Sequence, residues 1–202
     1  MKRRIFVGVP LSDEARRGVG KLVKQLEKKR WPVKWEAAKK WHVTVAFLGW
    51  MEEGRLSEVV EAVKAGAKNL GELELRFKGL GAFPDLVAPR VVWLGLKGDV
   101  PGLAKLSQAV QAELKLRDLP VEERAFVPHV TVGRMGKEVG INLRNEMGKQ
   151  IKKLVQMDLP YEWRADKIVV YESQMRRNGS VYFGLATVSL GRGHVLESPG
   201  DA

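Results

Sequence analysis

The chain has 202 residues, enough for one large domain or two small lobes with a core. It has no cysteine, which excludes disulfides, a thiolate nucleophile and cysteine-bound zinc; no apolar run reaches the ~18–20 residues that span a bilayer. Lys and Arg total 35 against 24 Asp and Glu, and the net charge of +11 suits a polyanion such as RNA better than a lipid surface.

The elements alternate along the chain. Ile5-Phe6-Val7-Gly8-Val9 marks a strand over about 3–9. Its apolar run ends at Ser12-Asp13-Glu14, too early for a secretory signal core of ~7–15 residues, so a cytoplasmic protein is expected. Ser12 caps a helix over 12–29, with Ala15, Val19, Leu22, Val23 and Leu26 along one face. Val33-Lys34-Trp35 suggests a short strand, followed by a strand over 42–48, a helix over 55–69 and strands over 72–80 and 90–96. Asp99 caps a second amphipathic helix over 100–117, carrying Leu103, Leu106, Ala109, Val110 and Leu114. A strand over 129–134, a helix over 142–155 and strands over 166–173 and 181–189 complete the pattern. Arg176-Arg177-Asn178-Gly179 forms the hairpin turn between the last two. The prolines, Pro160 among them, are expected at element edges. Residues 191–202 have no periodicity and are expected to form a flexible tail.

A repeat organises these elements. His42-Val43-Thr44-Val45 and His129-Val130-Thr131-Val132 are identical and 87 residues apart. The same offset lays Ile5-Phe6-Val7-Gly8-Val9 on Val92-Trp93-Leu94-Gly95-Leu96 and Ser12 on Asp99. Two copies of one β-α-β-α unit follow, related by a pseudo-twofold axis. Residues 1–190 are accordingly expected to form a single bilobal domain made by internal duplication.

Strand periodicity turns the repeat into chemistry. Alternate side chains share a face, so His42 and Thr44 point one way while Val43 and Val45 point into the core; His129 and Thr131 do the same. One such segment alone is an ordinary amphipathic strand. Two copies at equivalent places, using two of only three histidines, gather two imidazoles and two hydroxyls about a central groove. An imidazole titrates near pH 6.5, so one ring can act as base and the other as acid. The hydroxyls can hold phosphate oxygens. Two His and two Thr make a poor metal shell, neither motif holds a carboxylate, and no nucleophile elbow is present; no metal or cofactor is expected.

Four ordered segments resemble the two-histidine (2H) phosphoesterases, in particular the RNA 2′,3′-cyclic phosphodiesterase or 2′-5′ RNA ligase-like branch. They are Arg4-Ile5-Phe6-Val7-Gly8-Val9-Pro10, Trp41-His42-Val43-Thr44-Val45-Ala46-Phe47-Leu48-Gly49, Pro128-His129-Val130-Thr131-Val132-Gly133-Arg134, and Tyr171-Glu172-Ser173 with Gly179 and Tyr182. The resemblance implies an α+β fold of two pseudo-symmetric lobes, each an antiparallel sheet backed by helices, around a central groove. It implies metal-independent opening of RNA 2′,3′-cyclic phosphates to 2′-phosphates, with His42 as acid and His129 as base; the symmetric sequence itself does not say which ring is which. It further implies that Thr44, Thr131 and Arg134 bind the phosphate. Arg134 lies an odd number of residues after His129, so it shares that face only if the strand ends or bulges at Gly133. The expected partner is RNA bearing cyclic phosphate ends, with tRNA fragments and nucleotides among the candidates; no membrane partner is expected, and a monomer is the simplest state. Joining RNA ends through 2′-5′ linkages and non-catalytic RNA or nucleotide binding are the competing functions. Trp41 and Trp50 flank the first motif and could stack on a base, although core packing is the commoner fate.

Overall fold

The computed structural model describes residues 1–177 and 179–191, so all but the first residue of the tail expected over 191–202 lies outside the described residues. The elements are β1 (Lys2–Pro10), α1 (Asp13–Glu27), β2 (Lys34–Trp35), β3 (His42–Glu52), α2 (Leu56–Ala67), β4 (Leu73–Phe83), β5 (Val91–Gly98), α3 (Val100–Lys115), β6 (His129–Arg134), α4 (Ile141–Lys152), β7 (Asp158–Ala165), β8 (Lys167–Arg176) and β9 (Gly179–Ser189). The repeat is visible in the helix starts. Ser12 accepts a hydrogen bond from the Ala15 N–H and Asp99 from the Gly102 N–H, the same cap 87 residues on.

All strand pairings are antiparallel, in the order β7-β4-β5-β6-β3-β1-β8-β9, with β2 added to β6. The fold is thus the expected α+β arrangement, a curled antiparallel sheet backed by helices. The halves meet where Val43 of β3 pairs with Val130 of β6. Each lobe is completed by a strand from elsewhere in the chain. β4, which follows the first repeat, pairs with β5 in the second lobe, and β8, which follows the second repeat, pairs with β1 in the first.

The core lies between sheet and helices. Val43, Val45, Val130 and Val132 are all buried, as are the apolar faces of α1 and α3. The α2 and α3 backbones approach closely at Gly66, where an added Cβ would lie 2.7 Å from the Val110 Cα. β7 is an element that the sequence pattern did not predict. Its Leu159, Tyr161, Trp163 and Ala165 do alternate inward, and the Trp163 ring stacks on Phe77 of β4 at 4.8 Å. Pro160 lies inside this strand, whereas the sequence suggests an element edge. It is tolerated because β7 borders the sheet and because the β4–β7 register shifts around it.

Gly66→Ala is expected to destabilise the fold by about 1–3 kcal/mol through overpacking against α3. Urea unfolding measures this, and an unchanged midpoint would contradict the helix contact.

Candidate active site

The site grows out of the Val43–Val130 pair. With both valines beneath the sheet, continuing the antiparallel register one residue each way sets His42 across from Thr131 and Thr44 across from His129. All four side chains therefore occupy the face opposite the core.

Two bulges shape that face. Val45 has no partner on β1, because the register jumps from Gly8–Thr44 to Val7–Ala46. Its carbonyl accepts hydrogen bonds from the buried Ser107 hydroxyl at 2.7 Å and from the Gln111 amide at 3.1 Å. Its counterpart Val132 is likewise skipped by β5, between Trp93–Thr131 and Val92–Gly133, and its carbonyl accepts from the Glu36 N–H at 2.9 Å. The extra residue on β6 reverses the alternation, so Arg134 shares the face of Thr131 and His129.

Both rings are anchored alike. The His42 Nδ1–H donates to the Lys40 carbonyl and the His129 Nδ1–H to the Val127 carbonyl, each at 2.6 Å. This leaves each Nε2 for chemistry, and in the neutral ring of His42 that atom accepts the Thr44 hydroxyl at 3.1 Å. Phe6 packs 4.8 Å from His42, which also meets Tyr171 and, edge-on, Tyr182. Phe83 meets His129 edge-on at 4.9 Å, and Trp93 lies 5.9 Å from it. Gly8 leaves the space that the His42 ring needs, since a Cβ there would lie 3.0 Å from its Cδ2.

Burial pushes the His42 pKa from the ordinary histidine value down to about 4. The Lys40 carbonyl opposes that shift, His129 and Arg134 add to it, and Glu36 opposes it. His129 is also lowered, mainly by burial, with its Val127 bond opposing and Arg134 adding. Near neutral pH both rings of the free protein are therefore neutral, which differs from one ring neutral and one protonated. Glu36 holds two cations beside the site, Lys40 Nζ at 2.8 Å and Arg134 Nε at 3.3 Å. Among the described residues, no three His, Cys, Asp or Glu side chains gather in a metal-holding cluster.

A family model described as the 2′-5′ RNA ligase superfamily matches residues 10–177. The chain belongs to this superfamily of two-histidine phosphoesterases. Its relatives include a Thermotoga maritima protein named RNA 2′,3′-cyclic phosphodiesterase, 27% identical over 89% of this chain and 91% of its own. An Aquifex aeolicus protein of the same name is 29% identical over 89% of this chain and 93% of its own. In fold, the chain is similar to a Thermus thermophilus protein, TT0787, with a TM-score of 0.77 at 22% identity over 95% of this chain and all of that one. It is also similar to LigT of E. coli, described in complex with 3′-AMP, with a TM-score of 0.71 at 21% identity over 95% of this chain and all of that one.

Within this 2H phosphoesterase frame, the structure brings His42, Thr44, His129, Thr131 and Arg134 to one face. Trp41 is buried in the core and cannot reach a base, whereas Trp50 is 62% exposed. The aromatic surround of the two rings carried a sequence signal that went unused: the 87-residue offset lays Phe6 on Trp93. Glu36 carried none, because its position depends on the hydrogen bond to the β6 bulge.

In NMR titrations of the free protein, His42 is expected near pH 4 and His129 below 6.5. Inorganic phosphate should raise both, since an anion favours imidazolium, and Glu36→Gln should lower His42 further. A His42 midpoint at 6.5 or above without phosphate would contradict this electrostatic picture.

Proposed function

We propose that the chain is an RNA 2′,3′-cyclic phosphodiesterase that works without a metal. The observation that carries this reading is the pair of imidazoles on one sheet face, each anchored through Nδ1 and each with a threonine across from it on the neighbouring strand. The names of its relatives support the same substrate.

The cyclic phosphate sits between the rings. His129 Nε2 takes a proton from water as the water oxygen bonds to phosphorus, and protonated His42 Nε2 gives its proton to the departing 3′ oxygen. The P–O3′ bond breaks, leaving a 3′-hydroxyl and a 2′-phosphate. The Thr44 and Thr131 hydroxyls donate to the nonbridging oxygens, and the Arg134 guanidinium draws in the charge. The assignment of acid and base follows the family resemblance and agrees with the electrostatics, since a ring with a depressed pKa is the stronger acid once protonated. The superfamily's name, after 2′-5′ RNA ligase, favours a second reaction of the same atoms. If an RNA 5′-hydroxyl replaces water, the same proton transfers form a 2′-5′ linkage.

In EDTA, the wild type is expected to convert a nucleoside 2′,3′-cyclic phosphate to the 2′-phosphate with a bell-shaped pH profile. His42→Ala and His129→Ala should each lose about 10²–10⁴-fold in kcat, and Thr44→Val or Thr131→Val about 10²-fold. Wild-type inactivity, or full activity in His42→Ala, would sink the proposal; a 5′-hydroxyl RNA added to the assay reports the joining reaction.

A further inference from the structure

The two halves of the groove are not equivalent in chemistry. In the second lobe, the position after the bulge holds Arg134; 87 residues earlier the first lobe holds Phe47. The β1–β3 register places Thr44, Phe47 and Trp50 opposite Gly8, Phe6 and Arg4. Alternate residues of β1 share a face, and Phe6 and Gly8 both abut His42, so Arg4, Phe47 and Trp50 lie on the face of the catalytic pair. The burial pattern agrees: Thr44 and Phe47 are half-buried and Trp50 exposed, while Val45, Ala46, Leu48 and Met51 are buried beneath.

Arg4 is held differently from its neighbour. Arg3, on the opposite face, pairs with Glu172 at 3.1 Å and with Glu53. Among the described residues Arg4 makes no ion pair; its guanidinium lies 4.8 Å over the Phe47 ring and donates to the Ser173 hydroxyl at 3.5 Å. A half-buried cation without a carboxylate, stacked on one ring and directly across from an exposed indole, offers both things that single-stranded nucleic acid needs.

We infer that Arg4, Phe47 and Trp50 form a track for the RNA strand that leads away from the cyclic phosphate, with Trp50 stacking a base and Arg4 meeting a backbone phosphate. This rests on the proposed RNA substrate and adds where its chain runs. The track ends four β1 residues from Gly8, a span of about 14 Å at ~3.4 Å per residue. A short oligonucleotide covers that distance, whereas a single nucleotide ends beside Phe6, Tyr171 and Tyr182.

The test compares a nucleoside 2′,3′-cyclic phosphate with a tetranucleotide ending in the same group, for wild type, Trp50→Ala and Arg4→Gln. Trp50 is exposed, so its loss leaves the core intact. The wild type should prefer the tetranucleotide in kcat/KM. The preference should fall about fivefold or more in each variant, through KM, and return in Trp50→Phe. The same preference in wild type and Trp50→Ala overturns the track. If neither substrate turns over, the proposed hydrolysis fails but the track is still decided by fluorescence anisotropy of a labelled tetranucleotide bearing a terminal 2′-phosphate. Binding about fivefold weaker in Trp50→Ala supports the track, and equal binding removes it.

Discussion

The antiparallel pair of Val43 and Val130 joins the two halves of the sheet and decides which way every nearby side chain faces. Both valines are fully buried, with Val45 and Val132 beside them. A slip of one residue in either strand would lift valines into the groove and press a histidine and a threonine into the core. Each misplaced valine forfeits about 1.5–3 kcal/mol of burial, and each buried imidazole or hydroxyl adds an unmet hydrogen bond. The packing that stabilises the centre of the fold therefore also presents two imidazoles and two hydroxyls on the opposite face. The exchange of β4 and β8 between lobes reinforces this constraint, because neither half can complete its sheet without the other.

The two halves share a scaffold but differ in what surrounds it. The helix caps at Ser12 and Asp99, the ring anchors at Lys40 and Val127, and the bulges at Val45 and Val132 all remain 87 residues apart. What fills the space around them does not. The Val45 carbonyl is satisfied from below by Ser107 and Gln111 of α3, whereas the Val132 carbonyl accepts the Glu36 N–H and so brings a carboxylate to Arg134. Phe6 has Tyr171 stacked beside it at 5.0 Å, while a Cβ at Gly81 would lie 2.2 Å from the Trp93 ring. One half thus carries more aromatic surface and the other a guanidinium fork.

Much of this was legible in the residues. Two short periodicities, the alternation in His42-Val43-Thr44-Val45 and the helical spacing from Ala15 to Leu26, are local properties, and they mark the strands, helices and site face. The bulge that returns Arg134 to the groove was foreshadowed by Gly133 and the odd spacing from His129. The missing pieces are long-range. β7 alternates plainly from Leu159 to Ala165, but Pro160 masks it until the strand is known to border the sheet. Glu36 reaches the site through a hydrogen bond to a residue 96 positions away, which no local pattern records.

The same burial that fixes the rings sets a problem for the proposed acid catalysis. A His42 that titrates near 4 holds almost no proton at neutral pH, and the positive charge of Arg134 makes protonation harder still. Glu36 offsets part of this, but its carboxylate is already shared between Lys40 and Arg134. In the proposed reaction, the phosphate diester supplies the missing negative charge. Held against Thr44, Thr131 and Arg134, it favours imidazolium at the rings that face it. The hydrogen-bond pattern then changes in step: once His42 Nε2 carries a proton it can no longer accept the Thr44 hydroxyl, which is released to donate to a phosphate oxygen. In the proposed reaction, substrate binding, protonation of the acid and reorientation of the threonine are thereby one coupled event. A ring whose pKa is low in the free protein gives up its proton readily to the leaving oxygen as the phosphate charge is redistributed.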